Sequence, residues 1–454
     1  MSTPDFSPLG LQVPEIYLPR PGIDMAKWAV IACDQYTSEA EYWQRVAAQV
    51  EGAPSTLNLI FPEAFLEDDA RASRIENIKR AMHRYASDGT LAAPKRMMVA
   101  LDRVTTKVPS RKGLVVALDL DAYDYRKGAT SLVRATEATF EDRLAPRIAI
   151  REGASIELPH IMVLIDDPDR RVIEPVIEAV RNQAPLYDID LMLDGGHLTG
   201  WAVQDGDLLA RIQAGLAQLA DPVRFRKRYG VTVDDVFLYA MGDGNHSLAT
   251  AKTIWESIKK DAKDPQLIAE HPARYALVEL VNLHDAGIQF EPIHRVVFDV
   301  NPTDLFAALS SWAERAGGAV EIVDQPDLTH AAAEAARRRA ESADHVVVYC
   351  HRDAAGLMIF KNVGYQLPVG VLQAFIDDYL STGATQGTVD YIHGESAMRK
   401  LAKREKVIGF LLPGMDKHDL FKAVILEGAL PSKTFSMGDA NEKKFYVECR
   451  RIIL

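Results

Sequence analysis

Phe237-Leu238-Tyr239-Ala240-Met241-Gly242-Asp243-Gly244-Asn245-His246-Ser247 is the stretch on which the reading of the fold turns. An apolar run, Val236 to Met241, reads as a buried strand and ends on Gly-Asp-Gly. Beyond it, Leu248, Ala251, Ile254, Trp255 and Ile258 recur at three- and four-residue spacing, the signature of one apolar helix face. A strand that turns at once into a helix presents unpaired backbone N–H groups and the positive end of the helix dipole, which together attract an anion. Gly242 and Gly244 let the chain bend sharply and approach a ligand with no β-carbon in the way. His246 falls in the first turn, where its ring can donate to a phosphate oxygen or move a proton, and Ser247 adds a hydroxyl. The alternative is plain helix capping by Asp243 or Asn245, with His246 an incidental polar residue. The stretch is not a Walker loop, which is longer and carries a Lys, and it lacks the third glycine of the dinucleotide fingerprint.

Outward from this unit the chain keeps alternating helices and strands, which predicts an α/β (α+β) protein. Upstream, helices are expected over Ser38–Val50, Asp68–Asp88, Ile173–Asn182 and Leu208–Ala220, with strands over Arg96–Asp102, Lys112–Leu120 and His160–Asp166. Asp194-Gly195, lying between apolar runs in Asp190–Val203, predicts a β-hairpin. Downstream, Tyr275–Leu283 and Ile293–Val300 read as further strands of the same core. Past residue 301 come the helices Thr303–Ala316 and Thr329–Ala343 and the strands His345–Cys350 and Leu357–Lys361. The last expected strand is Lys444–Ile453. This texture divides the chain into 1–300 and a C-terminal α+β lobe, 301–454, as its 454 residues exceed the usual single core.

Composition narrows the classes. Forty-eight per cent hydrophobic and 26 per cent charged residues describe an ordinary globular protein. A net charge of −12 argues against nucleic acid or an anionic membrane as partner, since both repel a negative surface. No run approaches the roughly 20 apolar residues of a membrane span. The N-terminus, with Pro4, Pro8, Pro14, Pro19 and Pro21, lacks the pattern of a signal peptide. Cys33, Cys350 and Cys449 are too scattered for a disulfide framework or a zinc site. A cytoplasmic location is expected.

Several segments taken in order resemble a known family: Ala32-Cys33-Asp34-Gln35-Tyr36-Thr37-Ser38, the stretch from Arg134 to Arg143, Gly242 to Ala249, Pro292 to Val297, Tyr391-Ile392-His393-Gly394, and Leu430 to Gly438. The chain resembles the bacterial family called domain of unknown function 1015. Its glycine turn resembles the Asp-Gly-His-His-Arg signature of the ParB/sulfiredoxin superfamily and of its free serine kinase branch. The resemblance implies a ParB/sulfiredoxin-like mixed-sheet core with large insertions. It also implies a phosphotransferase acting on a small phosphorylated metabolite, between phosphoserine/serine and an adenine nucleotide as co-substrate. Mg²⁺ follows from the phosphate chemistry, not from a visible ligand cluster. Asn245 and Ser247 depart from the signature, standing where His and Arg are usual. The missing Arg removes a bidentate phosphate contact, so another cation is needed, with Arg134, Arg143, Arg295 and Lys433 as candidates.

Roles follow under that resemblance. Glu137 is the expected acid/base or Mg²⁺ contact, working with His246 and Asp243. Gly242, Gly244, Asn245, Ser247, Arg134, Arg143, Arg295, Lys433 and Thr434 are expected at the phosphate or nucleotide. Asp34, Gln35, Tyr36, Thr139 and His294 are expected at the substrate. Read without the family, Arg134, Glu137 and Arg143 form solvated salt bridges on a surface helix, and Asp34–Tyr36 a simple turn. Likewise, His294-Arg295 belong to an alternating strand and Lys433-Thr434 to a solvated loop. His160 and His197 read as structural. His284-Asp285 has no companion pair at ligand spacing, so no transition-metal centre is expected. Two rival functions remain: a non-catalytic nucleotide-binding switch, and a phosphoserine phosphatase needing no nucleotide.

Overall fold

The computed structural model describes residues 4–139, 144–264, 268–383 and 385–454. The chain divides into two compact units, Met1–Gln289 with Gly438–Leu454, and Phe290–Met437.

The first unit is built on a ten-stranded mixed sheet. Its strands are β1 (Leu11–Gln12), β2 (Met98–Val104), β3 (Arg111–Asp119), β4 (Tyr123–Asp124), β5 (Val133–Arg134), β6 (Met162–Ile165), β7 (Tyr187–Leu191), β8 (Gly196–Val203), β9 (Tyr239–Asp243) and β10 (Tyr275–Asn282). Their order is β7-β8-β2-β3-β10-β6-β9-β5-β4, with β1 added on β3. β6 runs parallel to β10 and antiparallel to β9, while β9, β5 and β4 run parallel. The middle strands carry continuous apolar runs buried on both faces, as in Leu114-Val115-Val116-Ala117-Leu118 of β3. At the edge, β7 alternates buried Tyr187, Ile189 and Leu191 with exposed Asp188 and Asp190. It pairs with β8 as the expected hairpin, and Leu193 and Asp194 turn it at φ of 52° and 60°.

Two expectations for this unit are corrected. The strand expected from Val236 begins at Tyr239 and runs through Gly242 to Asp243. Leu238 and Tyr239 both donate to the Leu132 carbonyl, which delays the start of the ladder. The single strand expected over Lys444–Ile453 is two short pieces. Phe445–Tyr446 pairs with Val30–Ile31, and Arg450–Arg451 pairs with Ile156–Glu157. Between them the Val447 carbonyl accepts from the Trp28 indole at 2.9 Å, so the ladder cannot continue through that point. The core beneath these elements gathers Trp28, Trp43, Tyr85, Phe445 and Tyr446 among aliphatic side chains.

The second unit holds a seven-stranded sheet: β11 (Phe290–Phe298), β12 (Ala319–Gln325), β13 (His345–His351), β14 (Ala354–Lys361), β15 (Thr388–His393), β16 (Ile408–Leu411) and β17 (Phe435–Met437). Its order is β12-β14-β13-β16-β11-β15, with β17 on β11 and every pairing antiparallel. The strand at 290–298 was expected in one core with Tyr275–Leu283. Instead its partners are Thr388–His393 and Ile408–Leu411, and the turn at Asp285–Ile288 separates it from β10. The helices Pro302–Arg315, Leu328–Glu341 and Pro368–Ser381 bury apolar faces in this unit. Among the described residues, no helix is long and apolar enough to cross a membrane.

Candidate active site

The end of β9 is the centre of the site. Gly242 and Asp243 close the strand, Gly244 is the N-cap at φ 83°, and the helix Asn245–Asp261 starts at once. A β-carbon on Gly244 would lie 3.1 Å from Ile161 Cα, and the positive φ already favours glycine, so both space and conformation select it. The first intrahelical donor is Leu248, whose N–H reaches the Gly244 carbonyl at 3.0 Å. The preceding N–H groups therefore point past the helix start, as anion binding requires. Asn245 Oδ1 is buried at this turn with no hydrogen-bond partner among the described residues.

Asp243 anchors the turn. One carboxylate oxygen accepts the Gly244 N–H at 3.0 Å and the other meets Lys443 Nζ at 3.0 Å. Burial pushes this carboxyl up, but Lys443 and the hydrogen bonds outweigh it and hold it below the usual carboxylate range. A cation thus stands at the turn, supplied by the C-terminal segment.

A hydrogen-bonded chain leaves the same turn. Ser247 Oγ lies 2.6 Å from His160 Nε2, and His160 Nδ1 lies 2.9 Å from the Tyr446 hydroxyl. That hydroxyl donates to Cys33 Sγ at 3.2 Å and accepts the Cys33 N–H at 3.2 Å. Burial pushes both the tyrosine and the thiol up, so both stay neutral. These residues line a cavity of about 130 Å³. Its charged lining includes Glu63, paired with Arg147 at 2.6 Å, and Glu157, paired with Arg151 at 2.5 Å. Burial, the largest influence, raises the Glu63 carboxyl despite Arg147.

The segment that carries Glu137 and Thr139 is tied to the end of β9 through Thr136. Thr136 Oγ1 donates to the Met241 carbonyl at 2.6 Å, tying the segment after β5 to the end of β9. Glu137, half buried, is the next residue, and Thr139 Oγ1 is buried with no hydrogen-bond partner among the described residues. Asp34, Gln35 and Tyr36 follow the strand Val30–Ile31, beside Cys33. Gln35 donates to Asp34 at 3.0 Å, and Tyr36 stacks on Tyr42 with ring centroids 3.7 Å apart.

Other expected residues have different surroundings. Arg134 is buried and donates to the carbonyls of Ser131, Thr130 and Asp235 at 2.8, 3.0 and 2.8 Å, with its guanidinium over Phe237. It fixes the entrance to β5 and β9. In the second unit, Arg295 is fully buried over Tyr391, bonded to Gln373 and to the carbonyls of Ile293, Lys433 and Ser432. That holds the loop at Lys433, where φ is 59°, while Thr434 Oγ1 donates to the Pro431 carbonyl at 2.6 Å. His294 accepts the Leu412 N–H, and burial with Arg295 beside it pushes its imidazole down to about 4. Arg143 lies outside the described residues.

Three residues at this turn were not among the expected site residues: Lys443 and Tyr446, which the sequence did not single out, and His160, which it reads as structural. One signal was available for the histidine: Pro159-His160 heads a buried strand, a place where side chains emerge at a sheet end. Lys443 and Tyr446 carried none, because they enter only through the pairing of Phe445–Tyr446 with Val30–Ile31. Among the described residues, no three His, Cys, Asp or Glu side chains gather as a metal-holding group.

Compared with solved structures, the chain is similar to a conserved hypothetical protein from Pyrococcus furiosus (10% identity, TM-score 0.36, 75% of this chain and 95% of that one). It is also similar to a free serine kinase in complex with AMP (11% identity, TM-score 0.38, 74% and 91%). A third is SbnI with a C-terminal truncation from Staphylococcus aureus (10% identity, TM-score 0.35, 71% and 82%). No curated protein matches the chain. The family model described as protein of unknown function (DUF1015) matches residues 17–379, and the chain belongs to that family.

Proposed function

We propose that the protein is a phosphotransferase acting on a small phosphorylated metabolite, with phosphoserine/serine and an adenine nucleotide as its substrates. One observation carries the reading: a strand ends on Gly242-Asp243-Gly244 and turns, through a left-handed glycine, straight into a helix whose first N–H groups have no intrahelical partner. Lys443, paired with Asp243, brings an ammonium group to the same turn, and the buried, unpartnered Asn245 Oδ1 offers an acceptor for a ligand donor. The likeness of the turn to the free serine kinase signature supplies the substrate pair.

Phosphoryl transfer asks for alignment, charge neutralisation and a group that moves a proton. The helix start and Lys443 would bind and orient the phosphate. Glu137, tethered through Thr136 to the end of β9, would take the proton from the serine hydroxyl, and His246 would steady the transferring group. Mg²⁺ would arrive on the nucleotide's phosphates and neutralise their charge, needing only one or two protein carboxylates. Asp243 and Glu137 are the carboxylates this turn offers.

The test is turnover of phosphoserine by the purified chain with Mg²⁺, with and without ADP or AMP. Serine release matched by a phosphorylated nucleotide is expected, and Glu137→Gln and His246→Ala should abolish it with the circular dichroism unchanged. Free phosphate with no nucleotide requirement would make the protein a phosphatase instead. No serine under any condition would leave a nucleotide-binding switch.

A further inference from the structure

We infer that Ser247, His160 and Tyr446 form a nucleophile–base–orienter triad that cleaves small esters of short-chain carboxylic acids, an activity separate from phosphoryl transfer. The pattern that activates a serine is a hydroxyl in hydrogen-bond reach of an imidazole whose other nitrogen is fixed by a third group. Here Ser247 Oγ is 2.6 Å from Nε2, and Nδ1 is 2.9 Å from the Tyr446 hydroxyl.

Among the arrangements of hydrogens that these contacts allow, one makes His160 a base. The Tyr446 oxygen accepts the Cys33 N–H and donates its own proton to Cys33 Sγ, so it faces His160 as an acceptor. Nδ1 therefore carries the proton, and Nε2 is left with its lone pair towards Ser247. That is the tautomer a general base needs.

The surroundings choose the ester. Ser247 stands in the first turn of the helix Asn245–Asp261, before the first intrahelical donor, Leu248. Its own backbone N–H and the helix dipole favour an oxyanion beside Oγ. The cavity in front is walled by Leu59, Ile60, Phe61, Met82, Ile156 and Leu277. Its two arginines are already paired, Arg147 with Glu63 and Arg151 with Glu157. The apolar walls of this cavity, with its arginines already paired, suit an uncharged acyl group.

In the first half of the reaction Ser247 Oγ attacks the ester carbonyl carbon as its proton passes to Nε2, and the carbonyl π pair moves onto oxygen. Collapse of the adduct re-forms the carbonyl and breaks the bond to the alcohol oxygen, which leaves with the proton from Nε2. Water then gives its proton to Nε2 and attacks the acyl-serine. The carboxylic acid departs, and the proton returns to Oγ.

A fluorophosphonate reagent, which reacts with activated serines and loses fluoride, tests this on the intact chain. Peptide mass spectrometry should find the adduct on Ser247, and p-nitrophenyl butyrate should be hydrolysed. Ser247→Ala should remove both signals, and His160→Gln should slow labelling and hydrolysis by about 10²-fold or more, the usual share of a general base. Tyr446→Phe, which keeps the ring but loses the acceptor for Nδ1–H, should give an intermediate loss. No adduct on Ser247 in the folded wild-type protein, or labelling indifferent to His160→Gln, would overturn the proposal. Because neither readout involves phosphoserine or a nucleotide, failure here leaves the phosphotransferase reading standing, and the reverse also holds.

Discussion

Asp243 and Lys443 show how much of a site a single ion pair can decide. The carboxyl is held below its ordinary range although burial opposes this, so the pair contributes stability above the unfolded value of about 3.9, and that contribution fades as pH falls towards the folded value. Lys443→Met leaves only the burial effect and the weaker partners, which raises the carboxyl. Urea midpoints should lie below the wild type's at pH 7 and should fall less between pH 7 and pH 3, because the contribution that acid removes from the wild type is already missing in this variant. Identical pH profiles would mean that Lys443 does not set the Asp243 charge. The sequence marked Asp243 by its glycine neighbours but could not mark Lys443, 200 residues further along the chain. It also offered Arg134 and Arg295 as phosphate ligands, and each is bonded to backbone carbonyls. Those carbonyls belong to loops that only the folded chain brings around each guanidinium, and a sequence carries no signal for them.

Among elements, the turn between β9 and its helix was the most legible. An apolar run, two glycines and a three-to-four periodicity are local properties, and they place strand, turn and helix without tertiary information. What stayed hidden was register. The register against β9 shifts between Met162 and Val163, and Gly244 lies close against Ile161. Gly244→Ala meets both that contact and a φ of 83°, so it should cost about 1–2 kcal/mol in urea denaturation. It should also weaken ADP binding, because the helix start moves; a variant as stable as wild type with unchanged affinity would refute the role given to this turn. Strands of the second sheet were legible as strands, yet β11 was assigned to the wrong neighbours. Alternating apolar residues such as Ile293 and Val297 fix a strand's two faces but do not identify its partner.

At the scale of the whole molecule, the chain leaves its first unit at Gln289 and returns to it at Gly438. The returning segment brings Lys443 to the turn and Tyr446 to His160. It also carries Arg450, which pairs with buried Glu157 at 2.7 Å and holds that carboxyl low even though burial, the largest influence, pushes it up. Ending the chain before Gly438 would leave Glu157 with Arg151 as its remaining cation and leave the Trp28 indole without its carbonyl. The truncated chain should show a lowered melting temperature, faster proteolysis between residues 1 and 289, and no phosphoserine turnover. Wild-type melting would show that the first unit does not depend on this segment. The division itself follows from long-range pairing, which is why texture alone placed the boundary near residue 300.

The central claim is that the helix start at Asn245, His246 and Ser247 receives a phosphate, and backbone amide shifts recorded while ADP is added to the ¹⁵N-labelled protein read those groups one by one. The account expects the three amides to show the largest, saturable downfield shifts, lost in Gly244→Ala. Saturable shifts centred elsewhere in the chain, with these three unmoved, would contradict it.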